Sequence, residues 1–171
     1  MTSSPNLDSG GASSGSLERW TRKYGVGEAY AFERCASSHG GTTGALVQVW
    51  RSPLRAGAWS SWSLTTSYFD DIERRRPAIE RGASLGGRTT ARLLAALEST
   101  HFWSAEPWPQ ELAPCGTDGQ SWVFKGVRDG VERVRVVWSP RDGEAVTLAR
   151  AFQQARPGLR RWFADRLPVM A

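Results

Sequence analysis

Apolar and polar residues alternate with a period of two along several short stretches, which marks half-buried strands. Over Glu28–Cys35, Tyr30 and Phe32 fall on one side. Over Ala45–Arg51, Val47 and Val49 share a face and Leu46 and Trp50 take the other. Over Trp59–Tyr68, Trp62, Leu64, Thr66 and Tyr68 line up. The breaks between them, SSHGGTTG and SPLRAG, are glycine-bearing, and Pro53 fixes its own φ, so each is a turn. Short connections between successive strands predict an antiparallel meander.

The sharpest local signal comes later. SWVFKGVR and VERVRVVW flank Asp129-Gly130, a two-residue loop that favours a type I′ turn whose twist matches that of the strands. This turn sets Arg128 opposite Val131 and Trp122 opposite Val137. One face then holds Val123, Val127, Val134, Val136 and Trp138, with Lys125 as its odd member, and is expected to be the core face. The other holds Trp122, Phe124, Arg128, Arg133, Arg135 and Val137.

Helical spacing appears in two places. Leu93, Leu94 and Leu97 form a stripe over Thr89–Thr100. Ala145, Leu148, Ala149 and Phe152 form another, with Ser139 expected at the N-cap, Pro140 at N1 and Asp142 at N3. Trp138 is expected against Leu148 and Phe152. Pro157-Gly158 stops this helix, and a last one over Leu159–Arg166 is expected to bury Trp162 and Phe163. Trp20 and Tyr24 suit one face of a short helix. Residues 69–88 are the least regular: Asp70 or Asp71 caps a short helix through Arg76, Pro77 ends it, and a glycine-rich loop follows. Residues 104–119, with Pro107, Pro109 and Pro114, form a structured loop.

This order predicts an α+β domain. Its antiparallel sheet has about five strands, a three-strand meander plus the C-terminal hairpin, packed by two or three helices. Residues 1–16, a Ser/Gly tract with little to bury, are expected to be a disordered tail, and 17–171 a single domain. With 171 residues the chain buries enough surface to need no disulfide or metal.

The net charge of +5 is concentrated. Residues 73–92 hold six arginines and two glutamates, a net of +4 that includes Arg74, Arg75 and Arg76. Arginines outnumber lysines twenty to two. They are spread along the chain, as a GC-rich genome would give; the competing cause is bidentate binding of phosphate or carboxylate. Two cysteines are too few for a disulfide framework. No basic segment leads into an apolar one at the start, and the longest apolar run is only Leu93–Leu97. The expectation is a cytoplasmic protein with no membrane contact.

Familiar catalytic patterns fail in turn. Gly82-Ala83-Ser84-Leu85-Gly86 matches G-x-S-x-G, but RRRPAIER before it does not read as a buried strand, and the order of acid and histidine is wrong for a nucleophile elbow. Cys35, His39, His101 and Cys115 could ligate zinc only if distant pairs met, since no local knuckle anchors them. A Cys35/His39 or Cys115/His101 dyad suffers the same lack. Asp70-Asp71, Asp142/Glu144 and Glu106/Glu111 read as helix-end or surface charges. GVGEAY lacks the third glycine of a dinucleotide loop and GGRTT the P-loop lysine. No catalytic residue, metal or cofactor is expected.

Nine tryptophans are the anomaly. They can be core and sheet cover stacked by arginine, a protein recognition surface, or a stacking platform for single-stranded nucleic acid. The segments Phe102-Trp103, Asp118-Gly119-x-x-Trp122, Gly126-x-x-Asp129-Gly130 and Val137-Trp138-Ser139-Pro140 resemble a set of small uncharacterised bacterial proteins with an FW, DG-x-x-W, W-S-P order before a C-terminal helix. The resemblance covers about the last 70 residues. It implies a bacterial domain and the hairpin–helix arrangement, and no activity. The functional expectation is a non-enzymatic module that binds another protein, such as an immunity protein or an accessory subunit. Its surface would be Trp122, Phe124, Arg128, Arg133 and Arg135, with Arg74, Arg75 and Arg76 beside it. The alternative is a nucleic-acid-binding accessory protein using residues 73–92 and the same face; a hydrolase with an unfamiliar site is the third.

Overall fold

A computed structural model of the chain describes residues 17, 21–22, 25–38, 41–51, 61–69, 79–112 and 119–155. Six strands form one antiparallel sheet: β1 (Glu28–Ser38), β2 (Gly41–Arg51), β3 (Trp62–Phe69), β4 (Ile79–Leu85), β5 (Gly119–Arg128) and β6 (Val131–Trp138). Helix α1 spans Gly87–Ser99, a 3-10 turn Pro109–Leu112, and helix α2 Gly143–Gln154. The spatial order is β4-β3-β2-β1-β5-β6. The first four strands step outward from β1 as a meander. The chain then passes through α1 and lays β5 on the other side of β1, so the α+β class expected from the pattern holds.

Register decides which face meets the helices. Phe32 has Val47 and Phe124 as its Cα partners, and Tyr30 has Val49 and Gly126. These residues share one face, because directly opposed residues point the same way. Leu93 and Leu97 from α1, Phe102 and Trp108 from the loop after α1, and Leu148 and Phe152 from α2 close over them as one core. The Phe32 ring stacks on Phe124 with centroids 4.8 Å apart and meets Phe152 at 5.8 Å. The opposite face is closed at one end by a smaller cluster of Leu17, Val26, Ala29, Trp50 and Val127.

The hairpin forms in the expected register, Arg128 opposite Val131 and Trp122 opposite Val137. Asp129 and Gly130 both take positive φ, 53° and 77°, as a type I′ turn requires. The assignment of its faces is corrected. Phe124 and Val137 are buried against the helices, whereas Val134 and Val136 stand 46% and 52% exposed. Val123, Val134, Val136 and Trp138 therefore lie on the outer face, away from Leu148 and Phe152. Val127 is buried, but in the smaller cluster on that outer face. Counting apolar residues favoured the wrong side because the helix-facing side of β6 carries two arginines.

Two further expectations change. The segment read as a glycine-rich loop contains β4, which pairs with β3 through Leu64↔Ala83 and Thr65↔Gly82. Its small residues hide the strand signal, and pairing with β3 supplies what propensity lacks. Helix α2 begins at Gly143 behind an extended Asp142, not at Ser139. Ser139 instead closes the hairpin: its N–H donates to the Gln120 carbonyl at 2.7 Å and its Oγ accepts from the Gln120 N–H at 2.9 Å. The tail at 1–16, Trp20 and Tyr24, the Asp70–Arg76 turn and the helix at 159–166 lie outside the described residues.

Candidate interaction surface

The hairpin's helix-facing side is organised by Arg135, which is 3% exposed. The turn after α1 aims its carbonyls at β6, and Arg135 gathers them. Its Nε donates to the Phe102 carbonyl at 2.9 Å and its Nη2 to the Ser104 carbonyl at 2.8 Å and the His101 carbonyl at 3.2 Å. Its Nη1 pairs with Glu111 Oε2 at 2.7 Å. Glu111 also accepts the Trp108 N–H at 2.6 Å, and the guanidinium lies 4.8 Å from the Trp108 ring centroid. Burying a guanidinium is costly unless its donors are filled. Here the filling ties the loop from His101 to Glu111 onto the sheet.

The other residues expected on a binding face are engaged as well. Phe124 is fully buried. Trp122 meets Phe32 edge-on, and Arg34 lies over its ring at 5.6 Å while donating to Gln120 Oε1. Burial lowers the Arg34 guanidinium below its ordinary range. Arg128 pairs with Glu98 at 2.8 Å and lies 4.7 Å over Trp103. Arg133 donates to the Trp103 carbonyl at 3.3 Å, and its buried Nε has no partner. Trp122, Phe124, Arg133 and Arg135 thus come together as an interior seam between sheet and helices, with Arg128 at its margin. Arg74, Arg75 and Arg76 lie outside the described residues.

The outer side of the hairpin differs. In a two-residue hairpin the residues flanking the turn exchange both backbone bonds, and bonded pairs then alternate. Arg128/Val131, Gly126/Arg133, Phe124/Arg135 and Trp122/Val137 are therefore the bonded pairs, and the Ser139 N–H on Gln120 continues the series. The backbone N–H and C=O groups of Val134 and Val136 point away from β5. Among the described residues β6 is the last strand on that side of the sheet. Val131, Val134, Val136 and Leu112 are the exposed large apolar residues among those described. Sequence reasoning placed Val134 and Val136 in the core. Their exposure follows from the burial of Arg135, which only the loop carbonyls and Glu111 explain.

The same outer face holds a polar strip on the central strands. Glu33, Gln48, Thr65 and Ser67 are buried there, with Leu46 among them. Burial raises the Glu33 carboxyl above its usual range, against the opposing pull of Lys125. The Cys35 thiol lies 3.5 Å from Glu33 Oε1, and burial followed by the Glu33 charge pushes it up to about 12. At neutral pH it is a thiol, the weakly nucleophilic form. His39 and Cys115 lie outside the described residues, and among the described ones no three His, Cys, Asp or Glu residues gather. Ser84 of the G-x-S-x-G match does follow strand residues and precede α1, but the strand is not a buried one at that point: Gly82 and Ser84 are exposed. Ser84 sits inside the antiparallel edge strand β4 opposite Ser63, not in a turn at the strand's end. No helix among the described residues is long and apolar enough to cross a membrane.

No model of a known protein family matches the chain, and no curated protein does either.

Proposed function

We propose that this chain is a non-enzymatic bacterial protein-binding module of the cytoplasm. It takes an extended segment of a partner protein onto the outer edge of β6. The observation that carries the reading is the edge itself: Val134 and Val136 turn their backbone groups outward on the last strand of the sheet among the described residues and keep their side chains exposed. Strand edges of this kind, long and apolar, pair with other chains unless they are protected. Added strands gain affinity from backbone bonds and specificity from alternate side chains. The partner segment would place β-branched or aromatic residues opposite Val134 and Val136. Modules of this type include immunity proteins and accessory subunits. The tryptophans and arginines of the hairpin support the surface from within and do not form it.

The test uses the tagged full chain to capture its partner, followed by hydrogen exchange on the purified complex. Slowed exchange at Val134 and Val136 is expected on binding. Val134→Pro removes an outward N–H and spares the ladder to β5, so it should abolish capture and leave the protein folded. Arg128→Ala should capture normally. Capture that survives Val134→Pro and disappears with Arg128→Ala would return the site to the aromatic–arginine face. Tight, salt-sensitive binding of single-stranded DNA or RNA without protein capture would favour a nucleic-acid role instead.

A further inference from the structure

Helices α1 and α2 meet along stripes that contain small residues. Ala96 and Ala151 are partly buried where the helices cover the core, and alanine leaves room there that leucine would fill. A groove of about 310 Å³ results, lined by Thr89, Arg92 and Ala96 from α1 and by Thr147, Arg150, Ala151 and Gln154 from α2. That volume lies at the lower end of the range for small-molecule sites, roughly 300–1,000 Å³.

The lining is one-sided in charge. Two guanidinium groups, one from each helix, face a common space, and no carboxylate lines it. Among the described residues neither Arg92 nor Arg150 has an ion pair or a hydrogen bond, although Arg128 and Arg135 each hold a glutamate. Thr89 belongs to the first turn of α1. That turn carries no acidic residue, and its N-cap Gly86 makes no side-chain cap bond, so no side chain of the turn itself offsets the positive end of the helix. The Thr147 hydroxyl is committed to the Gly143 carbonyl at 3.0 Å. The Thr89 hydroxyl and the Gln154 amide remain as donors at the rim.

Like charges on facing stripes repel, and an anion between them reverses the sign. Two planar forks, a hydroxyl and an amide can surround a tetrahedral dianion with donors from several directions, and arginine binds phosphate with two parallel bonds. We propose that the α1–α2 groove is a binding site for a small phosphate monoester, held between Arg92 and Arg150 over a floor of Ala96 and Ala151. The site is independent of the β6 edge.

The test is calorimetric titration of the full chain with inorganic phosphate and with glycerol 3-phosphate at constant ionic strength, paired with thermal melts. Binding to the wild type is expected to be one-to-one, and the monoester to bind at least as tightly as phosphate. At ten times its Kd the ligand should raise Tm by about 3–6 °C. Arg92→Gln and Arg150→Gln should each weaken binding roughly tenfold or more, the loss expected for one charge-assisted partner. Both arginines are exposed, so the variants should melt with the wild type in the absence of ligand. Malonate, a dianion whose oxygens sit on two separate carboxylates, should bind more weakly than phosphate. A phosphate-induced rise in Tm that persists unchanged in the double variant would show general salting of the surface and overturn the site. Malonate binding as tight as phosphate would overturn the ligand class. Binding of single-stranded DNA that is lost in the double variant, with no monoester binding, would overturn the small-ligand assignment. Val134→Pro should leave all these titrations unchanged, which separates this site from the partner-binding edge.

Discussion

At the scale of single residues, two buried charges carry opposite consequences. Arg135 is filled by Glu111 and three carbonyls, so its removal strands a carboxylate and releases a loop. Arg135→Met should cost about 3–5 kcal/mol in urea unfolding, the range for breaking a buried pair from one side. Arg135→Lys should recover little, since one ammonium cannot reach acceptors spread around a planar fork. Glu33 behaves in the other sense. Burial raises its carboxyl in the folded state, so the native protein holds that proton to higher pH than the unfolded chain does. Its ionisation therefore opposes folding. The penalty is absent below the ordinary carboxylate range of about 4.3 and grows as pH rises through the folded value. Glu33→Gln keeps an acceptor for the Cys35 thiol, 3.5 Å away. The variant should melt above the wild type at pH 7, with the difference closing near pH 4. Destabilisation of the variant at pH 7 that disappears near pH 4 would mean that Lys125 needs the Glu33 charge.

At the scale of elements, local chemistry was legible and facing was not. Asp129-Gly130 sets turn type and register without help from the rest of the fold, and the leucine stripe of α1 is equally local. The facing of β6 depends on a loop whose carbonyls and Glu111 fill the donors of Arg135, and no count of valines contains that information. The strand β4 escaped for a related reason: Gly82, Ala83 and Ser84 have weak strand preference and extend because β3 is beside them. Glycines in β5, the partner of β6, and in β4 separate these cases. A Cβ at Gly126 would lie 2.7 Å from Phe102 Cε1 and 3.1 Å from Tyr30 Cδ1, whereas at Gly82 its nearest neighbour is the Leu64 carbonyl oxygen at 4.0 Å. Gly126→Ala should cost about 1–3 kcal/mol through overpacking. Gly82→Ala should be neutral or stabilise by up to about 1 kcal/mol, because it stiffens the unfolded chain. Denaturant midpoints of the two variants check the contrast, and an equal loss in both would contradict it.

At the scale of the whole molecule, the decisive pairing is β1 with β5, which sets Glu28 opposite Arg128 and Phe32 opposite Phe124. It joins the meander to the hairpin across the whole of α1, and no sequence pattern announces so distant a contact. It also fixes where stability resides. β1 has a bonded neighbour on each side and core on both faces, with Phe32 at 0% and Ala31 at 3% exposure. Among the described residues β4 and β6 each have one neighbour in the sheet. Elements with the most buried contacts open only with the whole structure, and edges open locally. Native-state hydrogen exchange of the free protein should therefore find its slowest amides in β1, at the free energy of global unfolding. Exchange along β6 should alternate. The N–H groups of Arg133, Arg135 and Val137 bond to β5 and should be slow, while those of Val134 and Val136 point outward and should exchange faster by orders of magnitude. The alternation matters because the partner-binding reading rests on it. Uniform protection along β6 in the isolated chain would mean that the edge is already covered, and a partner strand would have no backbone left to pair with.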